Sequence, residues 1–167
     1  SVAHNINHKN TNVKLFEFGK TYSKAPSDDI NTSNYTEINH LSIFVSGNKS
    51  AANWNTVAKK TDFYYIKSIV DSILSKIGIS AFDSYDNDAS EIFQYALSYK
   101  KGEKKLVEFG KIHSTYTKLF DIKQDVFFID FNWDRITQLA RKNNVSYSEI
   151  PKYPSIKRDL ALLLDKK

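Results

Sequence analysis

The fold class is decided by residues 93–112, which read FQYALSYKKGEKKLVEFGKI. Apolar and polar side chains alternate on both sides of Lys101-Gly102-Glu103, which is the pattern of two strands joined by a tight turn. Two strands joined so closely are antiparallel, because parallel strands need a longer crossover. We therefore expect an α+β fold, a mainly antiparallel sheet flanked by helices, and not the parallel sheet of strand–helix–strand repeats.

Further strands are predicted on both sides of this hairpin from alternating or aromatic-rich segments. They are expected at residues 12–22, 41–46, 127–133 and 156–164, with a weaker one at 145–150. Polar residues and few apolar side chains predict a loop at 23–36 and an irregular connection at 47–60. Acidic residues at 83, 86, 88 and 91 indicate a solvated loop, since their spacing lacks the glycine and glutamate of a calcium loop.

The clearest predicted helix covers residues 62–77, where apolar side chains recur every three or four positions. Ile66, Val70, Ile73 and Ile77 are expected to face the sheet. Thr61 is the expected N-cap, and Gly78 the left-handed residue that ends the helix. Shorter helices are predicted at 114–120 and from Asn132 or Asp134, as the cap, to about 143.

Composition limits the classes of function. The chain is 41% hydrophobic and 26% charged, with a net charge of +5, and it has no cysteine, which excludes disulfides and thiolate metal sites. No apolar run approaches the roughly 20 residues of a membrane-spanning helix. Positive charge concentrates at residues 100–105 and 152–167; solvated lysines on a hairpin tip are the favoured explanation, and direct contact with RNA is the alternative.

No catalytic, cofactor-binding or metal-binding residue is predicted from the sequence. Its five glycines form no phosphate-binding loop, and the three arginines, Arg135, Arg141 and Arg158, are scattered. His4 and His8 have a zinc-like spacing without a third ligand, and His113 is interpreted as a structural turn residue. Most of the aromatic side chains, 14% of the chain, are expected in the core, although many tyrosines also suit a protein–protein contact.

An ordered set of motifs resembles the β chain of bacterial phenylalanyl-tRNA synthetase. The motifs are FEFGKTY at 16–22, WN at 54–55, TDFYYIK at 61–67, GKIH at 110–113, FDI at 120–122 and PSIKRDLAL at 154–162. The chain departs from the family at Ser114, where proline is usual, and at Ser68, which is often glycine. Because the sequence starts at Ser1, contains no methionine and stops just after an apolar run, we expect it to be part of a longer chain.

The resemblance implies a three-part division of the chain. Residues 1–12 are expected to be disordered or a linker end, and residues 13–150 a non-catalytic, degenerate class II aminoacyl-tRNA synthetase core. Residues 151–167 would begin a ferredoxin-like anticodon-binding domain. The class II signature has an arginine on the strand that corresponds to residues 13–22, where this chain has only Lys14 and Lys20.

The resemblance also implies a role in a larger enzyme. The whole ligase attaches phenylalanine to tRNA(Phe) with ATP and magnesium, in the cytoplasm, as an α2β2 heterotetramer whose α subunit carries the active site. This piece alone is expected to hold no cofactor and to be inactive. The alternative hypothesis is a free-standing α+β module that binds RNA or a small ligand.

Overall fold

The computed structural model describes residues 1–24, 35–50, 54–55, 57–86, 91–142, 149, 152–153, 156 and 158–160. The elements in chain order are α1 Val2–Asn7, β1 Val13–Lys24, β2 Tyr35–Ser46, β3 Asn48–Ser50, β4 Lys59–Lys60, α2 Phe63–Lys76, β5 Asp83–Asp86, β6 Phe93–Lys101, β7 Lys104–Ile112, α3 Ser114–Leu119, β8 Val126–Asn132 and α4 Trp133–Ala140. No helix in these segments is long and apolar enough to cross a membrane.

Six of the strands form one sheet in the order β1-β2-β8-β7-β6-β5, and every neighbouring pair is antiparallel. The predicted α+β class with a mainly antiparallel sheet is therefore confirmed. The β6–β7 hairpin forms as expected, and Gly102 in its turn has a φ of +58°, which glycine adopts without strain. Strand β8 lies between β2 and β7 in the sheet, so it pairs with two strands that are far from each other in the chain.

The sheet has two faces of different character. On the face that we call the helix face, α2 and α4 cover a core that includes Leu41, Val45, Phe109, Ile129 and Phe131. On the opposite face, the groove face, α1 and α3 flank an open depression whose lining includes side chains of β1, β2 and β8. Strand alternation explains the division, because successive side chains of β8 point to opposite sides.

Helix α2 packs through a narrower stripe than the sequence predicts. Ile66, Val70 and Leu74 are fully buried, whereas Ile73 and Ile77 pack against the edge of the core and are only partly buried. The spacing of three and four residues identifies the apolar side of a helix but not its centre line. That line is set by the sheet, since Phe63 stacks on Phe109 of β7 with ring centroids 5.6 Å apart.

The ends of α2 give one correction and one confirmation. The N-cap is Asp62 and not Thr61: the Asp62 side chain accepts a hydrogen bond from the Tyr65 backbone N–H at 2.8 Å. Thr61 is instead held by its backbone N–H, which donates to the Gly47 carbonyl at 2.9 Å, so its side chain is turned into the protein. Gly78 has the expected left-handed conformation, with a φ of +81°.

Among the other local predictions, one helix cap is confirmed and three segments are corrected. Asn132 is the N-cap of α4 and accepts from the Arg135 N–H at 3.1 Å, so Trp133 begins the helix instead of ending the strand. The irregular connection expected at 47–60 contains the paired strands β3 and β4. The loop expected at the acidic residues contains β5, because its backbone pairs with β6.

At the start of the chain, where disorder or a linker end is expected, residues 2–7 form α1. Most of the predicted strands at 145–150 and 156–164 lies outside the described residues, and the described positions 149, 156 and 158–160 belong to no strand.

Candidate functional site

The lysines that stand in place of the expected arginine serve the architecture of the helix face. The Lys14 ammonium donates to the Lys49 carbonyl at 3.2 Å and to the Tyr65 hydroxyl at 3.0 Å, which ties β1 to α2. Lys20 forms an ion pair with Glu37 on the neighbouring strand, and this contact raises the pKa of Lys20. Neither ammonium points into the depression on the groove face.

Two of the scattered arginines lie on or just after α4, far along the chain from these lysines. The Arg135 guanidinium donates to the Lys105 carbonyl at 2.9 Å, so it joins α4 to the β6–β7 hairpin. Arg141 follows α4 as its C-cap. Arg135 and Arg141 therefore lie beside the hairpin lysines Lys101 and Lys104 and not beside Lys14 and Lys20.

The histidines highlighted by the sequence have local roles. The rings of His4 and His8 lie with centroids 4.2 Å apart and are tilted by 35°, and His8 Nδ1 lies 2.8 Å from the His4 carbonyl oxygen. Across the described residues, no group of three or more His, Asp or Glu side chains could hold a metal ion. His113 is the N-cap of α3, since its ring nitrogen accepts from the Thr115 N–H at 3.3 Å, which confirms its interpretation as a turn residue.

A polar network that sequence reasoning missed centres on His40, on the groove face. His40 Nε2 lies 3.0 Å from the Thr21 hydroxyl, and its Nδ1 lies 3.0 Å from both carboxylate oxygens of Asp130. Ser42 donates to the same carboxylate at 3.2 Å. The register of β2 with β8 creates this cluster, because Ser42 is directly opposite Asp130. The network links β1, β2 and β8 through side chains.

A second feature of the groove face is an apolar depression of about 580 Å³, between α1, α3 and the sheet. Its lining includes Leu15, Phe44, Tyr116, Phe120 and Val126, and no lysine or arginine is among the described residues that line it. Its floor is aromatic, with Phe44 stacked on Phe128 at a centroid distance of 4.6 Å. Such a lining suits an apolar group, and its described residues offer no lysine or arginine side chain to a triphosphate.

The first strand of the sheet carries an exposed apolar surface on the helix face. Phe16 is 72% exposed and Phe18 57% exposed, and together with Leu41, Ile43 and Ile73 they line a shallow depression of about 320 Å³. We call these five residues the β1 apolar surface. Sequence reasoning assigned most aromatic side chains to the core and missed this group, because β1 alternates like a buried strand.

The position of β1 at the end of the sheet makes this surface unusual. Strand β1 has twelve residues and only β2 as a neighbour, so one side of its backbone is unpaired among the described strands. A long, apolar edge strand is a template for association with another chain. The β1 apolar surface is therefore the candidate protein-binding site.

Comparison with known sequences identifies relatives over the whole chain. Residues 1–133 match the sequence model of the family described as the phenylalanyl tRNA synthetase beta chain CLM domain. The phenylalanine–tRNA ligase beta subunit of Bacteroides thetaiotaomicron is 39% identical over an alignment of 173 positions, which covers 99% of this chain and 21% of that protein. The corresponding subunit of Porphyromonas gingivalis is 29% identical over an alignment of 174 positions, which again covers 99% of this chain and 21% of the relative. The chain thus spans about a fifth of the length of these relatives.

Comparison with solved structures identifies a similar fold at low sequence identity. PylSc of Desulfitobacterium hafniense, a pyrrolysyl tRNA synthetase, superposes with a TM-score of 0.57 at 13% identity, covering 84% of this chain and 46% of that one. A second pyrrolysyl-tRNA synthetase structure from the same organism gives a TM-score of 0.52 at 15% identity over 77% of this chain and 42% of that chain. At these identities the likeness concerns the fold, which is synthetase-like.

Proposed function

Because its first 133 residues match the family sequence model, the chain belongs to the phenylalanyl-tRNA synthetase beta chain family, and we propose that it is a non-catalytic structural domain of a phenylalanine–tRNA ligase. In this proposal residues 13–150 are a class II synthetase core that has lost its catalytic side chains. The whole ligase attaches phenylalanine to tRNA(Phe), and ATP and magnesium bind to other parts of it. The domain supports the α subunit and the tRNA-binding modules.

The observation that carries the proposal is the combination of a synthetase-like sheet with a depression that lacks basic side chains. Lys14 and Lys20 of β1, where the class II signature has an arginine, are engaged with Tyr65, the Lys49 carbonyl and Glu37 on the helix face. An ATP site needs cations, backbone N–H groups or a metal ion placed around the phosphates. The apolar lining of the groove-face depression argues against an ATP site in that depression.

We also propose that the chain enters a separate anticodon-binding domain after residue 150. Support comes from the described side chains of the tail: Tyr153 is 84% exposed, Ile156 77% and Leu160 83%. Their exposure fits a segment whose partners are in another domain.

The proposed contact with the α subunit is the β1 apolar surface. Burying Phe16 and Phe18 against another chain would remove aromatic area from water, and the unpaired edge of β1 would gain hydrogen bonds. This contact would make the domain one half of each αβ pair in an α2β2 heterotetramer.

Co-purification with the α subunit of the same source tests the proposed partner. The parent chain is expected to elute with α in a single peak. Phe16→Asp should abolish that peak, because it places a carboxylate in an apolar contact. Tyr85→Asp is the matched control: Tyr85 is a 46% exposed aromatic residue on β5, at the other edge of the sheet, and its substitution should leave co-elution intact. Equal loss in both variants, with unchanged melting temperatures, would contradict this assignment.

Phenylalanine-dependent ATP–pyrophosphate exchange tests the non-catalytic role. The isolated chain should give background exchange, whereas the α–β complex should be active. Exchange by the chain alone would refute the proposal. A free-standing RNA- or ligand-binding module would instead bind its ligand fully without α and would not co-elute with it.

A further inference from the structure

A groove of about 330 Å³ between the β6–β7 hairpin and α4 is lined by basic side chains from two separate elements. Lys101 and Lys104 contribute from the hairpin, and Arg135, Arg141 and Lys142 from α4 and the turn after it. The remaining lining residues are Leu106, Gln138 and Leu139, so no carboxylate is among the described residues that line it. We call this feature the basic groove.

The fold brings these cations together by specific backbone contacts. Lys101 is paired with Lys104 across the hairpin turn, which places two ammonium groups on directly opposite residues. Arg135 is fixed by the Asn132 cap at its backbone and by its side-chain hydrogen bond to the Lys105 carbonyl at 2.9 Å. The hairpin and the helix are thus tied to each other at the groove.

Within the described part of the chain, the basic groove gathers several cations that form no ion pair with a carboxylate, a property they share with other lysines such as Lys59 and Lys60. Five lysines elsewhere form ion pairs with Asp or Glu side chains: Lys20, Lys49, Lys67, Lys105 and Lys111. Among the described residues, Lys101, Lys104, Arg141 and Lys142 take part in no such pair. Like charges directly opposite in a sheet are destabilising. A cluster that keeps this repulsion in the free protein is suited to an anion that arrives from outside.

The form of the groove favours a phosphate chain over an acidic protein segment. Strands β6 and β7 both have strand neighbours on each side, so an extended peptide has no free edge to join. Guanidinium forks match phosphate oxygens in geometry, and the Gln138 amide adds a neutral donor. Successive phosphates of a nucleic acid present negative charges at the regular spacing that a row of cations can follow.

We propose that the basic groove binds the phosphate backbone of RNA, which deepens the proposed function by naming a surface that contacts tRNA. The inference rests on that function for the identity of the RNA. The contact recognises the charge of the phosphates and not the identity of the bases, because a phosphate contact carries no sequence information. It therefore contributes affinity and orientation to the ligase, whereas selection of tRNA(Phe) belongs to other domains.

Fluorescence anisotropy of a labelled tRNA(Phe) transcript, titrated with the 167-residue chain at several salt concentrations, tests the inference. The variant Lys101→Gln/Lys104→Gln removes two charges from the groove. The matched control, Lys59→Gln/Lys60→Gln, removes two charges from exposed lysines of β4. Each lost phosphate contact lowers the slope of log K against log salt by about 1, so the groove variant should lose about 2 from its slope and the control should lose none.

Single variants of the helix side of the groove complete the test. Arg141→Gln should lower the slope by about 1, and Arg141→Lys should restore it, because the charge is what matters. A non-cognate transcript of the same length should show the same losses. Melting temperatures of all variants identify any variant that fails to fold. If Arg141→Gln fails to fold, the Arg141→Lys variant can still be compared with the parent.

Two results would overturn the inference. In the first, the groove variant and the β4 variant lose the same amount from the slope of log K against log salt, which would indicate general attraction to a basic chain. The other is a poly-glutamate peptide that binds as tightly as the transcript and suffers the same loss, which would indicate an acidic protein segment as the occupant. Either result leaves co-elution with the α subunit untouched, so failure here is distinct from failure of the proposed function.

Discussion

The start of helix α2 offers the sharpest test of the structure, because two neighbouring residues should respond to substitution in opposite directions. Asp62 caps the helix by accepting from the Tyr65 N–H at 2.8 Å. Thr61 is only 7% exposed, and its hydroxyl has no hydrogen-bond partner among the described residues. The sequence alone suggests Thr61 as the cap, so the two alternatives predict different outcomes.

The expected magnitudes follow from the two environments. Asp62→Ala removes an N-cap and should lower the free energy of unfolding by about 1 kcal/mol. Thr61→Val keeps the shape of the side chain and removes a buried hydroxyl without a partner, so it should raise that free energy by about 1 kcal/mol. For a chain of this length, each kcal/mol corresponds to about 2–4 °C in melting temperature.

Thermal unfolding followed by circular dichroism at neutral pH measures both variants against the parent. We expect Asp62→Ala to melt below the parent and Thr61→Val above it. The hydrogen bond from the Tyr65 N–H and the nearby Lys49 keep the pKa of Asp62 below its ordinary value of 3.8. The stability that Asp62 provides is therefore present above pH 3.8 and is lost as the pH falls through its lower folded-state pKa.

The difference between the parent and Asp62→Ala should accordingly become smaller in strong acid. Asp62→Asn is the control, because its amide oxygen still accepts the capping bond but does not titrate in this range. The reasoning would be refuted if Thr61→Val melted below the parent while Asp62→Ala melted with it.

Three further predictions concern the core, a buried tyrosine and the tail. Leu74→Ala, at a fully buried site of α2, should cost about 2–5 kcal/mol in urea unfolding, and Ile73→Ala, at a partly buried site, clearly less; equal costs would contradict the observed centre line of the helix. Burial raises the pKa of Tyr99 above 10.0, so its contribution is complete below pH 10.0 and is lost as the pH rises through the folded-state pKa. Tyr99→Phe, which removes the 2.9 Å hydrogen bond to Asp71, should cost about 1 kcal/mol at neutral pH and flatten the alkaline part of the stability curve; a curve as steep as the parent's would contradict this origin. Deletion of residues 155–167 should leave the melting temperature nearly unchanged; a fall of more than about 8 °C, roughly 2 kcal/mol or more, would show that the tail belongs to this core.

The elements that the sequence predicts correctly depend on residues that are close to one another along the chain. The β6–β7 hairpin follows from alternation on both sides of Gly102, and the left-handed end of α2 from Gly78. The Asn132 cap of α4 and the short helix after His113 follow from the same kind of local signal. These elements involve contacts over a few residues, so the residue types within one segment suffice to predict them.

What only the tertiary structure decided depends on which segments meet. Insertion of β8 between β2 and β7 places Asp130 beside His40, 90 positions apart, and no periodicity predicts that register. Phe16 and Phe18 alternate like core residues and are exposed because β1 lies at the edge of the sheet. Lys101 and Arg141 form one groove only because α4 packs beside the hairpin. Pairing and packing between distant segments are collective properties of the whole chain, and they determine which side chains meet at a surface available to a partner.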